Sequence, residues 1–242
     1  MNKVLYLNGR RGRIQADMGL QLVADMEADV VVIAEALADQ ERRNQHGTYD
    51  LKLNTKYLGI YTRKDREITC RKRGAGEWAL IGGNIGGAYL PPHLDQHKCR
   101  KCIENMMTKA DTIMGDFNCC GGTKRRVLEE IIETQQWDDI GTTHHTHEQG
   151  KHKCRIDRVL TRVGGSTSFI QTRSCGRPWV IKQGWGCLSD HSAIGARVKM
   201  KEERKLRLTQ TNWKKVMEYV QREKELEEKG LEGSRHQYKY TG

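Results

Sequence analysis

The 242-residue sequence has no long apolar run, and its longest apolar stretch covers only residues 30–34. A membrane-spanning helix needs roughly 20 such residues, so a chain anchored by helices of this kind is excluded. Residues 1–3 lead directly into the apolar segment 4–7, without the charged start and longer apolar region of a secretory signal. We therefore expect a soluble, intracellular protein that does not associate with a membrane.

Internal repeats and low-complexity segments are also absent from the body of the chain, which excludes a repeat architecture. Eight cysteines are present. A chain with a core of this size and no secretion signal does not need disulfides, so we expect reduced thiols.

Positive charge is in excess, with 42 Lys and Arg against 31 Asp and Glu, a formal net charge of +11. Residues 200–242 hold 11 Lys and Arg and 8 Asp and Glu, so most of the excess lies in residues 1–199. Excess positive charge on a folded domain favours a polyanionic partner, with nucleic acid as the first candidate and an anionic membrane surface as the second. Solubility alone is the other explanation.

Short strand-like segments outnumber helical ones in residues 1–198. Helical spacing occurs in residues 16–26, 93–109 and 124–137. Strand-like segments are 4–7, 29–33, 56–61, 66–70, 77–82, 87–90, 112–114, 155–160, 167–171, 179–182 and 193–198, and 71–76 is typical of a turn. This mixture predicts an α+β sandwich rather than a strictly alternating parallel sheet.

Acidic and amide side chains lie at several of the predicted strand ends, where they can converge at one edge of a sheet. They are Asn8, Glu35, Asp116 with Asn118, and Asp190 with His191, and Asp157 lies within a further strand. Solvated strand ends are often acidic, so each one alone is weak evidence. Together they offer the oxygen ligands of a hard divalent cation and an acid that can orient a water nucleophile.

In this order, the residues resemble the endonuclease/exonuclease/phosphatase superfamily, most closely the apurinic-like endonuclease domains of non-LTR (LINE-type) retrotransposons. The matching motifs span about residues 1–198 and are Asn8, Glu35, Ala88-Tyr89-Leu90-Pro91-Pro92, Gly115-Asp116-Phe117-Asn118, Arg155-Ile156-Asp157 and Ser189-Asp190-His191. The resemblance implies the DNase I-like fold, a four-layered α/β sandwich of two packed mixed β-sheets flanked by helices.

The resemblance also implies roles for these residues. Glu35, Asn8 and Asp190 would lie at the metal ion, which would be Mg²⁺ or Mn²⁺. Asp116 would orient or deprotonate the attacking water, and Asn118 and Tyr89 would hydrogen-bond the phosphate. His191 would contact the phosphate, with Asp157 paired to its imidazole.

Structural roles remain open for three of these residues. Tyr89 before the two prolines is compatible with a packed strand-end aromatic. Asp157 is compatible with a surface ion pair to Arg155 or Arg158, and Asn118 with a cap for the following helix.

Histidines and cysteines form two further groups. His93, His97, Cys99 and Cys102 have a spacing that could close a zinc site, but one Cys-x₂-Cys without a second pair is weak evidence, and thiols and imidazoles lying on a helix are the simpler interpretation. For His144, His145, His147 and His152, a loop that contacts DNA phosphate is favoured over a metal site.

Three basic runs are suited to phosphate contacts that position DNA without reading its sequence. The residues concerned are Arg10, Arg11, Arg13, Arg71, Arg73, Lys124 and Arg125. The predicted function is a monomeric, nuclear, Mg²⁺-dependent DNA endonuclease. The alternatives are a phosphatase or phosphodiesterase of the same fold, and an inactive nucleic-acid-binding remnant of a retroelement.

Residues 199–242 form a separate, charged tail with one amphipathic helical stripe and a polar end that is expected to be disordered. The tail resembles the segment that leads from such endonucleases toward a reverse transcriptase. No Tyr-x-Asp-Asp polymerase motif is present in the chain. We therefore expect an endonuclease portion, residues 1–198, without its reverse transcriptase module.

Overall fold

A computed structural model describes residues 2–9, 19–21, 24, 26–35, 47–75, 77–141, 145–149, 151–164, 190–191, 193–201 and 221. By internal contacts the chain divides into two units, Met1–Glu203 and Arg204–Gly242. Within the described part of the chain, no helix is both long and apolar enough to cross a membrane.

The first sheet has five strands in the order β13-β1-β2-β4-β3. Its strands are β1 (Asn2–Asn8), β2 (Val30–Ala34), β3 (Tyr49–Asn54), β4 (Leu58–Arg63) and β13 (Ile194–Val198). All five residues of β2 are buried, as expected for a β-branched strand in the middle of a sheet covered on both faces. β1 and β2 run parallel, with Asn8 beside Ala34.

The second sheet has six strands in the order β5-β6-β7-β8-β12-β9. They are β5 (Cys70–Arg73), β6 (Trp78–Ile81), β7 (Ile85–Tyr89), β8 (Thr112–Asp116), β9 (Trp137–Asp139) and β12 (Asp157–Arg162). Gly115 lies beside Ala88 in the parallel β7–β8 pair, where a Cβ would collide with the Ala88 carbonyl. The glycine therefore permits the close pairing that places Asp116 beside Tyr89.

Two helices pack on the second sheet, α1 (Gln96–Lys109) and α2 (Gly122–Thr134). Their buried residues Ile103 and Leu128 share a core with Trp78 and Leu160 of the sheet. A second core, which includes Val32 and Met114, lies between the two sheets.

The outer face of the five-stranded sheet is covered as well. Leu20, in a helical segment, packs there with Leu5 and Val31. Two sheets with helical layers outside them confirm the predicted sandwich.

A small hairpin, β10 (His147–Gln149) and β11 (His152–Cys154), lies between β9 and β12 in the chain. A disulfide joins Cys154 to Cys120, which lies in the loop after β8. The expectation of reduced thiols is therefore wrong for this pair. Cys70, Cys99, Cys102 and Cys119 are free.

Residues 199 and 201 contact the body through Asn84 and Asp111. The Asn84 side chain donates to the Lys199 carbonyl (3.0 Å) and accepts from the Lys201 amide (3.1 Å). The Lys201 ammonium lies 2.8 Å from an Asp111 carboxylate oxygen.

Candidate active site

The predicted catalytic and metal-site residues lie at one edge of the sandwich. Asn8, Tyr89 and Asp116 end β1, β7 and β8, and Glu35 follows β2 directly. β12 and β13 run antiparallel to β8 and β1, so the residues at their beginnings reach the same edge. They are Asp157, directly opposite Asp116, and Asp190 and His191, which precede β13.

Two side-chain hydrogen bonds connect the two sheets at this edge. The Asn8 amide donates to Asp116 Oδ2 over 3.1 Å. The Tyr89 hydroxyl donates to Glu35 Oε1 in a short hydrogen bond. Since Asn8 lies beside Ala34 and Tyr89 beside Asp116 in the strand registers, the four side chains form a continuous rim across the sandwich.

Glu35 and Asn118 have left-handed backbones, with φ of 50° and 48°. This region is sterically unfavourable for a non-glycine residue, more so for Glu than for Asn, and such conformations often occur at functional sites. At Glu35 the amide donates to the Tyr57 carbonyl over 2.8 Å, which fixes the turn that directs the carboxylate toward Tyr89.

Asp116 is 1% exposed. Burial, reinforced by the charge of Asp157, raises its pKa to about 7, although His191 and the hydrogen bonds from the Asn118 amide and Asn8 act in the opposite direction. A carboxyl group whose pKa lies near neutrality is suited to accept a proton from water.

Asp157 and His191 form a buried pair in which Nδ1 of the imidazole lies 2.9 Å from Oδ2 of the carboxylate. Burial lowers the pKa of His191, but the hydrogen bond and charge of Asp157, helped by Asp116 and Asp190, raise it overall to about 8. The imidazole is therefore a cation at neutral pH, oriented by Asp157 with Nε2 on its other side.

Asn118 does not cap the following helix, and Asp157 does not form an ion pair with Arg155 or Arg158. Arg155 and Arg158 both pair with Asp139, whereas Asp157 pairs with His191. Asn118 donates its side-chain amide to the Leu90 carbonyl (3.0 Å), and its backbone amide donates to Asp116 Oδ1 (2.8 Å). The residue at the N-cap of α2 is Gly121, which makes no side-chain bond.

Tyr89 is a packed strand-end aromatic whose hydroxyl also makes a polar contact. It is only 3% exposed and packs in the core between the sheets, with its ring centroid 5.5 Å from that of Tyr57. Its hydroxyl nevertheless reaches the Glu35 carboxylate. A packed ring with a directed hydroxyl can hold Glu35 in place, and because the hydroxyl has one proton, it would have to leave Glu35 in order to donate to a phosphate.

Three residues near this edge were not assigned to the site by sequence. The Thr146 hydroxyl accepts from the backbone amides of Ile156 (3.1 Å) and Asp157 (2.9 Å), which fixes the start of β12. The Tyr6 hydroxyl is buried, and its pKa is raised well above 10 by burial and by the nearby charges of Asp116 and Asp157. A buried aromatic in a strand gives no sequence signal for this proximity.

His147 is the third, and it lies in β10 instead of a loop. Its ring centroid is 4.6 Å from that of His191, and its Nε2 lies 3.3 Å from Asp190 Oδ2. The histidine-rich sequence marked this segment, but the pattern alone did not indicate which histidine faces His191.

The structure describes only some of the basic residues that we predicted to contact DNA. Arg10, Arg11 and Arg13 lie outside the described residues. Arg71 and Arg73 lie on the edge strand β5, where sequence had predicted a turn.

The other two predicted cations lie at the start of α2 and make local contacts. Lys124 donates to the Pro92 carbonyl, and Arg125 forms an ion pair with Glu129 one turn later (2.7 Å). Both would have to exchange these contacts in order to bind phosphate.

The proposed zinc ligands do not assemble. His97 is exposed at the start of α1, while Cys99 is buried. Cys99 and Cys119 share a hydrogen bond, and this bond is the leading cause that lowers the pKa of Cys99. Neither group of potential metal ligands among the described residues includes His93, His97, Cys99 or Cys102.

A hard divalent cation fits the edge that carries Asp116. Asp116 and Asp157 are both buried, and Asp157 Oδ1 has no hydrogen-bond partner among the described residues. Two adjacent buried carboxylates repel each other, which raises the proton affinity of one of them. A divalent cation bound between them offsets that negative charge. Glu35 and Asn8 lie at the same edge and offer further oxygen ligands.

Solved structures similar to this chain share its fold. The TRAS1 endonuclease domain, from a telomere-specific non-LTR retrotransposon, matches with a TM-score of 0.53 and 10% identity, covering 83% of this chain and 99% of that domain. An AP endonuclease from Archaeoglobus fulgidus has a TM-score of 0.58 and 10% identity, covering 82% and 100%. The 3′ phosphatase NExo from Neisseria, bound to product DNA hairpin, has a TM-score of 0.52 and 14% identity, covering 82% and 100%.

No protein-family profile and no curated protein sequence matches the chain. The structural matches establish the endonuclease/exonuclease/phosphatase fold, as the ordered motifs predicted.

Proposed function

We propose that this protein is a metal-dependent endonuclease that hydrolyses phosphodiester bonds in DNA, of the type that nicks target DNA for a non-LTR retrotransposon. The observation that carries the proposal is the convergence of the Asn8–Asp116 and Asp157–His191 pairs at one edge of the sandwich. The same edge holds the Glu35–Tyr89 pair. The endonucleases and the 3′ phosphatase among the structural neighbours support this chemistry.

The side chains divide the reaction between them. Asp116, held by the Asn118 amide and by Asn8, accepts a proton from the attacking water. The water oxygen forms a bond to phosphorus as the bond to the leaving 3′ oxygen breaks. His191, held by Asp157, donates from Nε2 to a phosphate oxygen and offsets the charge that develops there.

Glu35 and Asn8 would hold the metal ion, with Asp190 nearby as a further acid. Mg²⁺ or Mn²⁺ bound there would stabilise negative charge on the phosphate and on the leaving oxygen. Tyr89, which donates to Glu35, would keep that carboxylate in position.

The direct test is nicking of supercoiled plasmid with and without Mg²⁺. We expect Glu35→Ala and His191→Ala to reduce nicking on the order of 10²–10³-fold, because each removes a preorganised charged group. His97→Gln is the matched control, since His97 is an exposed histidine at the start of α1 and is not part of the proposed site. Circular dichroism would verify that each variant is folded.

Full nicking by the Glu35→Ala and His191→Ala double variant would contradict the proposal. A protein that binds the plasmid but never cuts it would be the inactive remnant. A protein that releases phosphate from a 3′-phosphorylated oligonucleotide but leaves the plasmid intact would be a phosphatase of this fold.

A further inference from the structure

A second cluster of metal-ligand side chains lies beside the proposed active site. His147 Nε2 is 3.3 Å from Asp190 Oδ2, and His191 Nε2 is 3.9 Å from Asp190 Oδ1. The ligand atoms of these three residues all lie within 4.8 Å of one another. Their side chains are 18%, 13% and 8% exposed, so the cluster lies just below the surface.

The backbone holds the two histidines together. A β-bridge pairs His147 directly with His191, and His147 also pairs with Cys154 within the hairpin. The Cys120–Cys154 disulfide ties that hairpin to the loop after β8. The position of His147 beside His191 is therefore set by the fold rather than by a freely rotating surface side chain.

The distances suit a small transition-metal ion. Zinc bonds to imidazole nitrogen and carboxylate oxygen are about 2.0–2.1 Å long, which places tetrahedral ligand atoms about 3.3–3.4 Å apart. The distance from His147 to Asp190 Oδ2 matches this value, and the distance from His191 to the other oxygen of that carboxylate, Oδ1, exceeds it by about half an ångström. A small rotation of His191 or Asp190 would close the difference.

The surroundings of His191 have the form found at metal-binding histidines. A ligating imidazole usually donates its other N–H to a carboxylate, which orients the ring and increases its basicity. Asp157 occupies this position at His191 Nδ1, at 2.9 Å. Two imidazoles and one carboxylate also select borderline ions over Mg²⁺, which prefers oxygen ligands and retains water.

We propose that His147, Asp190 and His191 form a binding site for a divalent transition-metal ion such as Zn²⁺, distinct from the Mg²⁺ site at Glu35. A consequence rests on the proposed function: an ion on His191 Nε2 occupies the nitrogen that would donate to the phosphate. Zn²⁺ bound here therefore inhibits nicking while Mg²⁺ remains in its own site.

Calorimetric titration of the full chain with Zn²⁺ at pH 8, in buffer that contains excess Mg²⁺, tests the site without any activity measurement. We expect one equivalent to bind, with affinity reduced at least about tenfold in His147→Gln and unchanged in His97→Gln. Co²⁺ titration identifies the ligands, because a site built from His and Asp lacks the thiolate charge-transfer band that a cysteine site gives.

Three results would overturn the site: no stoichiometric binding, equal binding by His147→Gln and its control, or a thiolate band in the Co²⁺ spectrum. If His147→Gln does not fold, Asp190→Asn supplies the same comparison. In nicking assays, micromolar Zn²⁺ should inhibit the parent protein and the His97→Gln control more strongly than His147→Gln. Zinc binding without any nicking by the parent protein would retain the site and refute the proposed function.

Discussion

Replacing Asp116 with asparagine should stabilise the protein at alkaline pH although it removes the proposed base. Burial and the neighbouring Asp157 raise the pKa of Asp116 from 3.8 to about 7. The native state therefore disfavours the charged carboxylate. The stability of the native state relative to the unfolded state falls as pH increases from the pKa of Asp116 in the unfolded state to its pKa in the native state. Above pH 7 this unfavourable contribution is complete.

The magnitude follows from the shift. Each pKa unit corresponds to about 1.4 kcal/mol, so the penalty at pH 8 is on the order of 2–4 kcal/mol after some relaxation of the site. Asparagine keeps the oxygen that accepts from the Asn118 amide, and the Asn8 amide can rotate to accept from the new side chain. Nearly all of the gain should therefore appear as stability.

Urea denaturation of Asp116→Asn and the parent protein at pH 8, in EDTA, measures this difference. The gain should shrink as pH is lowered to 5, because the native carboxyl then carries a proton. Asp138→Asn is the control, since Asp138 is an exposed acid on β9. A variant no more stable than its parent at pH 8, or a gain that is the same at pH 5, would refute the reasoning.

Two further predictions concern pH and redox state. At low Mg²⁺ concentration, the nicking rate should rise as Asp116 loses its proton near pH 7. It should fall again as His191 loses its proton near pH 8. A pH–rate profile with an optimum below about pH 6 would contradict this prediction. The Cys120→Ser and Cys154→Ser double variant should lose about 3–4 kcal/mol of unfolding free energy, from the loop closed by the bond. Dithiothreitol should destabilise the parent protein in urea titrations but leave the double variant unchanged, and equal sensitivity would contradict the assignment.

Sequence predicted much of this fold because the central strands carry strong local signals. β2 and the β8 segment are apolar, and the two helices carry apolar residues at helical spacing. Each appears within a few residues of its predicted bounds. β3 was missed, although Tyr49, Leu51 and Leu53 alternate with polar residues as in a half-buried strand. β5 was taken as a turn because its basic residues are typical of exposed segments, and here they lie on the edge of a sheet.

The chemical identity of the edge was visible in the sequence, but its contacts were not. Spacing could place an acid after each strand, whereas the Asn8–Asp116 and Tyr89–Glu35 bonds depend on two sheets packing face to face. The Cys120–Cys154 pairing likewise needs the hairpin to fold back onto the loop after β8, a tertiary event with no local pattern.

The same packing places His147 beside the proposed active site. A histidine in a run of four is most simply a solvated loop residue, and residue type alone cannot distinguish the members of the run. The β-bridge to His191 distinguishes them, because it places one ring 4.6 Å from another that Asp157 already orients. A site that shares one imidazole between a phosphate and a transition-metal ion makes the two ligands exclusive, so raising the DNA concentration should relieve zinc inhibition in the parent protein.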